Sequence, residues 1–396
     1  MPEARARGVA QIDLETAVTD LGPGQPDPSL LPVTMYRSAM DRALRRHKAD
    51  ALGYGANAGP LPAREVLARW STEIEQADCD ASNVFVTAGA THALDLLCSR
   101  LGSRGAVVLV QRTTYPLALD LFRARGLEPV PVGADLAVPA PEEFTRAARS
   151  LRAGGRTIAF AYLQPTFHNP TGISFSAGDR TKLIAAARAC GVMLVEDDPY
   201  RLLHFGSPPL PSLVSLSRCQ GVVGVRTLSK TLGPGVRTGF LLADGGWLRD
   251  LGDDPLFTSG GGIAHVGALA IAEVLDSGDF ANHLLRLRGE YQQRCELLLG
   301  ALAPLASLGV QWDQPEGGFF AWLKLPDGLR AGQVHDAALK RGVRVLPGLG
   351  SFAAASAEND SWIRTAFSLY PAKVLAAAGE RLVAAAFETS RDNDER

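Results

Sequence analysis

One lysine in this chain keeps company that suits it to covalent chemistry. Thr227-Leu228-Ser229-Lys230 runs directly into Thr231-Leu232-Gly233-Pro234-Gly235-Val236-Arg237. An amine can hold an aldehyde as a Schiff base, and Thr227, Ser229 and Arg237 supply hydroxyl and bidentate guanidinium donors suited to a phosphate monoester. Together these residue types imply a lysine tethering an anionic aldehyde. A Ser-Lys pair before a Gly-Pro-Gly turn also fits a solvated loop with ordinary surface charges, so the reading depends on what other segments provide.

Three of them provide it. The apolar run Val192-Met193-Leu194-Val195 reads as a buried strand ending in Glu196-Asp197-Asp198-Pro199-Tyr200, and carboxylates at a strand's carboxyl end face the ligand crevice of open α/β sheets. A carboxylate against a pyridine nitrogen keeps it protonated, so the ring can accept electrons from a substrate α-carbon. Asp197 is the candidate, and pyridoxal phosphate is the cofactor that combines ring, aldehyde and phosphate. The phenol of Tyr200 can reach the ring oxygen, whereas Glu196 and Asp198 read better as a strand-end acidic turn, with Asp198 capping the next segment. The strand Thr157 to Tyr162 precedes Pro165-Thr166-Phe167-His168-Asn169-Pro170-Thr171-Gly172. Two prolines restrict that loop and hold Asn169, whose amide can donate to the same oxygen, although Asn-Pro-Thr-Gly is also a common turn. The strand Val84 to Thr87 leads through Ala88-Gly89-Ala90-Thr91-His92 into a helix. Amides at such a helix start bind phosphate, which makes Ala90 and Thr91 cradle positions. Tyr115, after the strand Ala106 to Val110, can stack on the ring or simply be a core tyrosine.

These motifs, in this order, resemble the fold type I, pyridoxal-phosphate-dependent aminotransferases of class I and II over nearly the whole chain. Among their subgroups, Glu196-Asp197-Asp198-Pro199-Tyr200 is most similar to the 2-aminoadipate and kynurenine type. The resemblance implies an α/β fold, with a large domain built on a mostly parallel seven-stranded sheet between helices and a smaller α+β domain. It makes Arg364 the grip on the substrate α-carboxylate, places Gly24 in the substrate-side loop, and assigns Tyr54 to the phosphate of a partner subunit. A homodimer follows from that last role. The implied reaction moves an amino group from an L-amino acid to a 2-oxo acid such as 2-oxoglutarate, in ping-pong fashion, with Lys230 holding the cofactor as an aldimine and acting as base and then acid. Bottom-up, Arg364 fits because a planar fork of donors binds a carboxylate in one orientation.

Departures from the family pattern fall on the substrate side. His168 stands where a glutamine is common, Gln111-Arg112-Thr113-Thr114 precedes Tyr115, and Ser259-Gly260-Gly261-Gly262 is glycine-rich. His168 and Arg112 are therefore candidates for substrate contacts, with a loop hydrogen bond and a surface charge as the alternatives. Elimination, cyclisation or oxidation of an amino acid on the same cofactor stays open. So does a non-catalytic sensor, although a DNA-reading domain of roughly sixty residues does not fit ahead of Leu21.

Composition agrees with a soluble enzyme: 396 residues, 46% hydrophobic, can bury a large core. A net charge of −2 argues against nucleic-acid or anionic-membrane partners. The seven histidines and five cysteines show no metal-site or disulfide spacing, and Met1 to Arg7 lacks the apolar core of a signal peptide, so a reduced, cytoplasmic setting without membrane spans is expected. Apolar runs alternate with amphipathic segments from Val84 to Ala243, and Asp279 to Leu302 reads as a long helix. The expected organisation is 1–45 as N-terminal arm and part of the small domain, 46–285 as the cofactor domain and 286–396 as the small domain. Asp95 and Arg100 read as solvated or locally paired charges, Arg226 as a strand-end ion-pair member, and Arg391 to Arg396 as a frayed tail.

Overall fold

A central sheet of seven strands organises the computed structural model, which describes residues 17–394 apart from Asp135, Gly261 and Ala355. Its strands are β1 (Val84–Thr87), β2 (Val107–Gln111), β3 (Glu128–Val132), β4 (Ile158–Leu163), β5 (Leu194–Asp197), β6 (Val222–Thr227) and β7 (Gly239–Leu242), in the spatial order β1-β7-β6-β5-β4-β2-β3. Pairs β6-β5, β5-β4, β4-β2 and β2-β3 are parallel, and β7 is antiparallel to both its neighbours. Strands covered on both faces must be apolar almost throughout, which is why Val107-Val108-Leu109-Val110 shows no alternation and is wholly buried. Helices such as Ala90–Leu101 and Ala177–Ala189 cover the sheet; the second starts at a reciprocal Ser176–Asp179 capping box. Truncating a ring at the centre of these layers, such as Phe85 or Phe240, removes a fully buried side chain and would cost about 3–5 kcal/mol.

A second core lies around a three-stranded antiparallel sheet of β8 (Phe320–Lys324), β9 (Leu346–Pro347) and β10 (Trp362–Ala366), ordered β9-β10-β8. The helix Asp279–Leu302 joins the two, as its periodicity predicts, and buries Leu287, Tyr291 and Leu298 in this second core. Thr19 and Asp20 pair with Val343 and Arg344, while Arg294 donates to the Asp27 carboxylate at 2.8 Å, so residues 19–27 lie on the smaller sheet's side. The helix Val33–His47 instead buries Ala43 with Leu269 and Ala270 of the helix His265–Asp276.

The C-terminal charges correct one expectation. Arg391 to Asp394 continue the helix Ala372–Asp394 instead of fraying, held by Asn393 Nδ2 donating to the Gly328 carbonyl at 2.8 Å. Met1 to Arg7, Arg396 and Gly261 of the glycine-rich segment lie outside the described residues. Among the described residues, no helix is long and apolar enough to cross a membrane.

Candidate active site

The carboxyl ends of β1, β2, β4, β5 and β6 converge on one crevice, where open α/β sheets bind ligands. Lys230 lies three residues beyond β6, and its amine donates to the Gly24 carbonyl at 2.8 Å. The Nζ also sits 5.7 Å from the Tyr200 ring centre and 5.9 Å from that of Phe319. Burial lowers its pKa to about 8, against the pull of Asp197. A fair share of the amine is therefore unprotonated near neutral pH, as a nucleophile or base requires.

Asp197 ends β5, buried. Its Oδ2 accepts from the Tyr162 hydroxyl at 2.6 Å and from Gln164 Nε2 at 3.0 Å, whereas Oδ1 is buried without a partner. An orphaned buried carboxylate oxygen is costly unless a donor arrives. Burial raises the Asp197 pKa to about 6, opposed by the Tyr162 and Gln164 bonds. Gln164 also receives the Asn169 backbone N–H at 3.2 Å on its Oε1 and donates its own backbone N–H to Gln111 at 2.7 Å. One amide thus sets both the carboxylate and the Asn169 loop.

Arg364 reaches the same place from β10. It donates through Nη1 to Asn169 Oδ1 at 2.7 Å and through Nη2 to the Gly22 carbonyl, with its guanidinium 4.3 Å from the Phe320 ring centre. Its Nε is buried without a partner. Burial lowers its pKa to about 10, so it stays charged at neutral pH. Gly24 is required because a Cβ there would run into the Phe320 ring. With Oδ1 engaged by Arg364, Asn169 keeps its amide nitrogen for another acceptor. Tyr200 stands edge-on to Phe320 at 5.7 Å, its phenol pKa driven up by burial, which the nearby Arg364 charge and a bond from Asn169 only partly offset. Tyr115 precedes the helix Pro116–Ala124; Pro116 holds it extended at that entry, and its ring stays partly accessible.

The phosphate-suited groups lie together at the other end. Gly89, at φ 88°, starts the helix Ala90–Leu101 without a capping side chain, which leaves the first-turn amides of Ala90 and Thr91 uncapped. A Cβ on Gly89 would crowd the Arg237 guanidinium at 3.1 Å. Arg237, at φ 50°, donates to Ala88 O at 2.6 Å and Pro234 O at 3.3 Å. The Thr227 and Ser229 hydroxyls lie 2.9 Å apart. Tyr54 is 95% exposed and far from burial in this chain.

The capping role of Asp198 is a second correction. Glu196 and Asp198, at the strand end, are buried in ion pairs: Arg226 reaches Glu196 at 2.7 Å and Glu75 at 2.6 Å, and Arg201 reaches Asp198 at 2.6 Å. Asp198 caps nothing; its Oδ2 instead accepts from Arg201 and from Thr166 Oγ1 at 3.3 Å. Arg226 is an ion-pair member as its position predicts. His168 is buried with Nδ1 2.9 Å from Thr171 Oγ1, and Arg112 donates to the Ala134 carbonyl at 2.9 Å, so both have loop partners. Asp95 pairs across elements with Arg125. Sequence reading passes over Tyr162, Gln164, Gly22 and Phe320. Tyr162 carries a signal, since a phenol inside an apolar strand needs a partner.

Comparison with known proteins agrees with this geometry. The family model described as aminotransferase class I and II matches residues 16–382. The chain is similar to 2-aminoadipate transaminase of Thermus thermophilus, at 31% identity over 89% of this chain and 86% of that protein. It is also similar to aromatic-amino-acid aminotransferase 1 of Thermococcus litoralis, at 27% identity over 96% and 91% respectively. Among solved structures, LysN, the alpha-aminoadipate aminotransferase of Thermus thermophilus complexed with N-(5'-phosphopyridoxyl)-L-leucine, superposes with a TM-score of 0.82 at 29% identity, covering 94% of this chain and 93% of that one.

Proposed function

Because the chain belongs to the class I and II aminotransferases, enzymes of the fold type I α/β architecture, we propose that it holds pyridoxal phosphate at Lys230 and moves an amino group from an L-amino acid to a 2-oxo acid, 2-oxoglutarate being the expected acceptor, in a ping-pong sequence. The observation that carries this reading is one crevice holding a buried lysine amine, a buried carboxylate oxygen without a donor and a buried guanidinium with an N–H to spare. The residues fit the cofactor. Asp197 Oδ1 suits the ring nitrogen, Asn169 and Tyr200 suit the ring oxygen, and Tyr115 suits the ring face. The Ala90 and Thr91 amides, the Thr227 and Ser229 hydroxyls and Arg237 suit the phosphate.

When bound, the cofactor supplies an aldehyde for the amine and a ring that withdraws electrons from the substrate's α-carbon. The residues do the rest. Lys230 Nζ takes the α-proton and later gives it up, which its depressed pKa of about 8 permits in both directions near neutral pH. Asp197 stays ionised against a cationic N–H, whose charge would pull the carboxyl pKa below its present value of about 6. Arg364 turns its free N–H edge to the substrate α-carboxylate, held in plane by Asn169 and Gly22 and backed by Phe320. Gly24 leaves the room that this stack needs.

The similarity to a 2-aminoadipate transaminase and to an aromatic-amino-acid aminotransferase favours a longer or aromatic donor side chain. Exposed Tyr54 is read as reaching a partner subunit's phosphate, which makes the working unit a homodimer. The division into 46–285 as cofactor domain, with 286–396 and part of 1–45 as the smaller domain, and a cytoplasmic setting belong to the same reading. The test is acceptor dependence: oxo acid should form from the donor amino acid beyond one equivalent per active site only when 2-oxoglutarate is supplied. Release of ammonia with oxygen uptake and no acceptor requirement would contradict transamination.

A further inference from the structure

Behind Asp197 lies a layer of buried charge that the reaction itself does not use. Along β5, side chains alternate, so Glu196 and Asp198 point to the face opposite Asp197. There Glu75, Glu196 and Asp198 meet Arg180, Arg201 and Arg226, three carboxylates against three guanidiniums, all buried. Arg226 is the hub. Its Nε and Nη2 clasp Glu75 bidentately at 2.7 and 2.6 Å, Nη2 also reaches Glu196 Oε2 at 2.7 Å, and Nη1 donates at 3.2 Å to the carbonyl of the peptide that joins Glu196 to Asp197. Glu75 belongs to the helix Leu61–Glu75, so the clasp ties a helix to the ends of two strands, one carrying Asp197 and the other leading to Lys230.

We infer that Arg226 is a positioning residue for Asp197: its charge balances the carboxylates behind that side chain and so keeps Asp197 ionised toward a cationic ring nitrogen. The inference rests on the cofactor site proposed above. Burial alone would make the Arg226 guanidinium easier to deprotonate, but Glu75 and Glu196 hold its pKa well above the ordinary value, so it remains a fixed positive charge. The groups facing Asp197 are Tyr162, Tyr115, Tyr200, Lys230 and Arg364 on the crevice side, and Glu196, Asp198, Glu75, Arg201 and Arg226 behind. The tyrosines are held neutral: burial raises the Tyr115 pKa to about 12 and pushes those of Tyr162 and Tyr200 well above the ordinary phenol value. Lys230 titrates higher, at about 8, so a limb set by Asp197 at about 6 lies apart from it.

Removing the Arg226 charge alone leaves an extra buried negative charge, which raises the Asp197 pKa, so a higher pH is needed to ionise it. Removing Arg226 and Glu75 together leaves the net charge as it was. The test measures the pyridoxal phosphate dissociation constant by equilibrium dialysis across about pH 5 to 9, with thermal unfolding of the cofactor-free proteins alongside. The proteins are the parent, Arg226→Met, Arg226→Lys, and Arg226→Met combined with Glu75→Gln. For Arg226→Met we expect an acid limb about one pH unit higher, and so an affinity about tenfold weaker at pH 5 but only about twofold weaker at pH 7. Arg226→Lys and the double variant lose the bidentate fork, and so some thermal stability, yet should stay within about threefold of the parent affinity with an unmoved acid limb.

Parent-like affinity at pH 5 in Arg226→Met would overturn the inference. So would losses in the two charge-balanced variants as large as in Arg226→Met, because affinity would then follow stability and not charge. If Arg226→Met does not fold, the charge-balanced pair decides: an unmoved acid limb supports the inference, and a loss of about tenfold at pH 5 overturns it. A parent protein that takes up no pyridoxal phosphate would overturn the proposed function itself, and this inference with it.

Discussion

Replacing Lys230 with alanine is expected to lower transamination by at least about 10⁴-fold, because one substitution removes both the group that would hold the cofactor and the group that moves the α-proton. The fold should survive. The amine's hydrogen bond runs to the Gly24 carbonyl, and a buried amine whose pKa has fallen to about 8 is a desolvated group whose removal costs little. Thermal unfolding should therefore stay close to the parent's while turnover collapses. Turnover near the parent rate in the alanine variant would remove Lys230 from the chemistry.

The second large effect is expected from Asp197→Asn, which keeps size and much of the hydrogen bonding but discards the charge. Tyr162 and Gln164 Nε2 both donate to Oδ2, so both can still donate to an amide oxygen at that position. The kcat should fall by about 10²–10³-fold, the scale on which a preorganised electrostatic partner matters in a buried site. The pH profile gives an independent reading. The carboxylate must be ionised to act, so parent activity should fall as pH drops through the Asp197 pKa, at about 6 in the free protein and lower once a cationic partner is bound. The asparagine variant should lack that acid limb. A variant with parent-like kcat and an unchanged acid limb would mean that another group sets it.

Much of the fold was legible in the sequence, and for a physical reason. Parallel strands buried on both faces are uninterrupted apolar runs, so the ends of β5 and β6 announce themselves, and with them Asp197 and the turn leading to Lys230. What could not be read were pairings between distant residues. Arg226 and Glu75 are 151 positions apart and Arg364 and Asn169 are 195 apart, and no local pattern marks either pair. For that reason Glu196 and Asp198 read as a plain strand-end acidic turn, although Glu196 is paired with the distant Arg226 and Asp198 with Arg201 three positions on. The C-terminal charges are similar. A run such as Arg391 to Asp394 suggests fraying, yet Asn393 finds the Gly328 carbonyl and the helix carries on. Gln164 carries no signal of its own; only the fold shows one amide serving Asp197 and Asn169 together.

The most direct test of the account is a titration of the pyridoxal-phosphate-loaded protein with a panel of L-amino acids, followed by visible absorption with no acceptor present. A yellow band that gives way to the amine form of the cofactor for longer or aromatic amino acids, and returns when 2-oxoglutarate is added, is the predicted result. A band that no amino acid discharges would contradict transamination, and a protein that shows no such band after loading would contradict the assignment of Lys230.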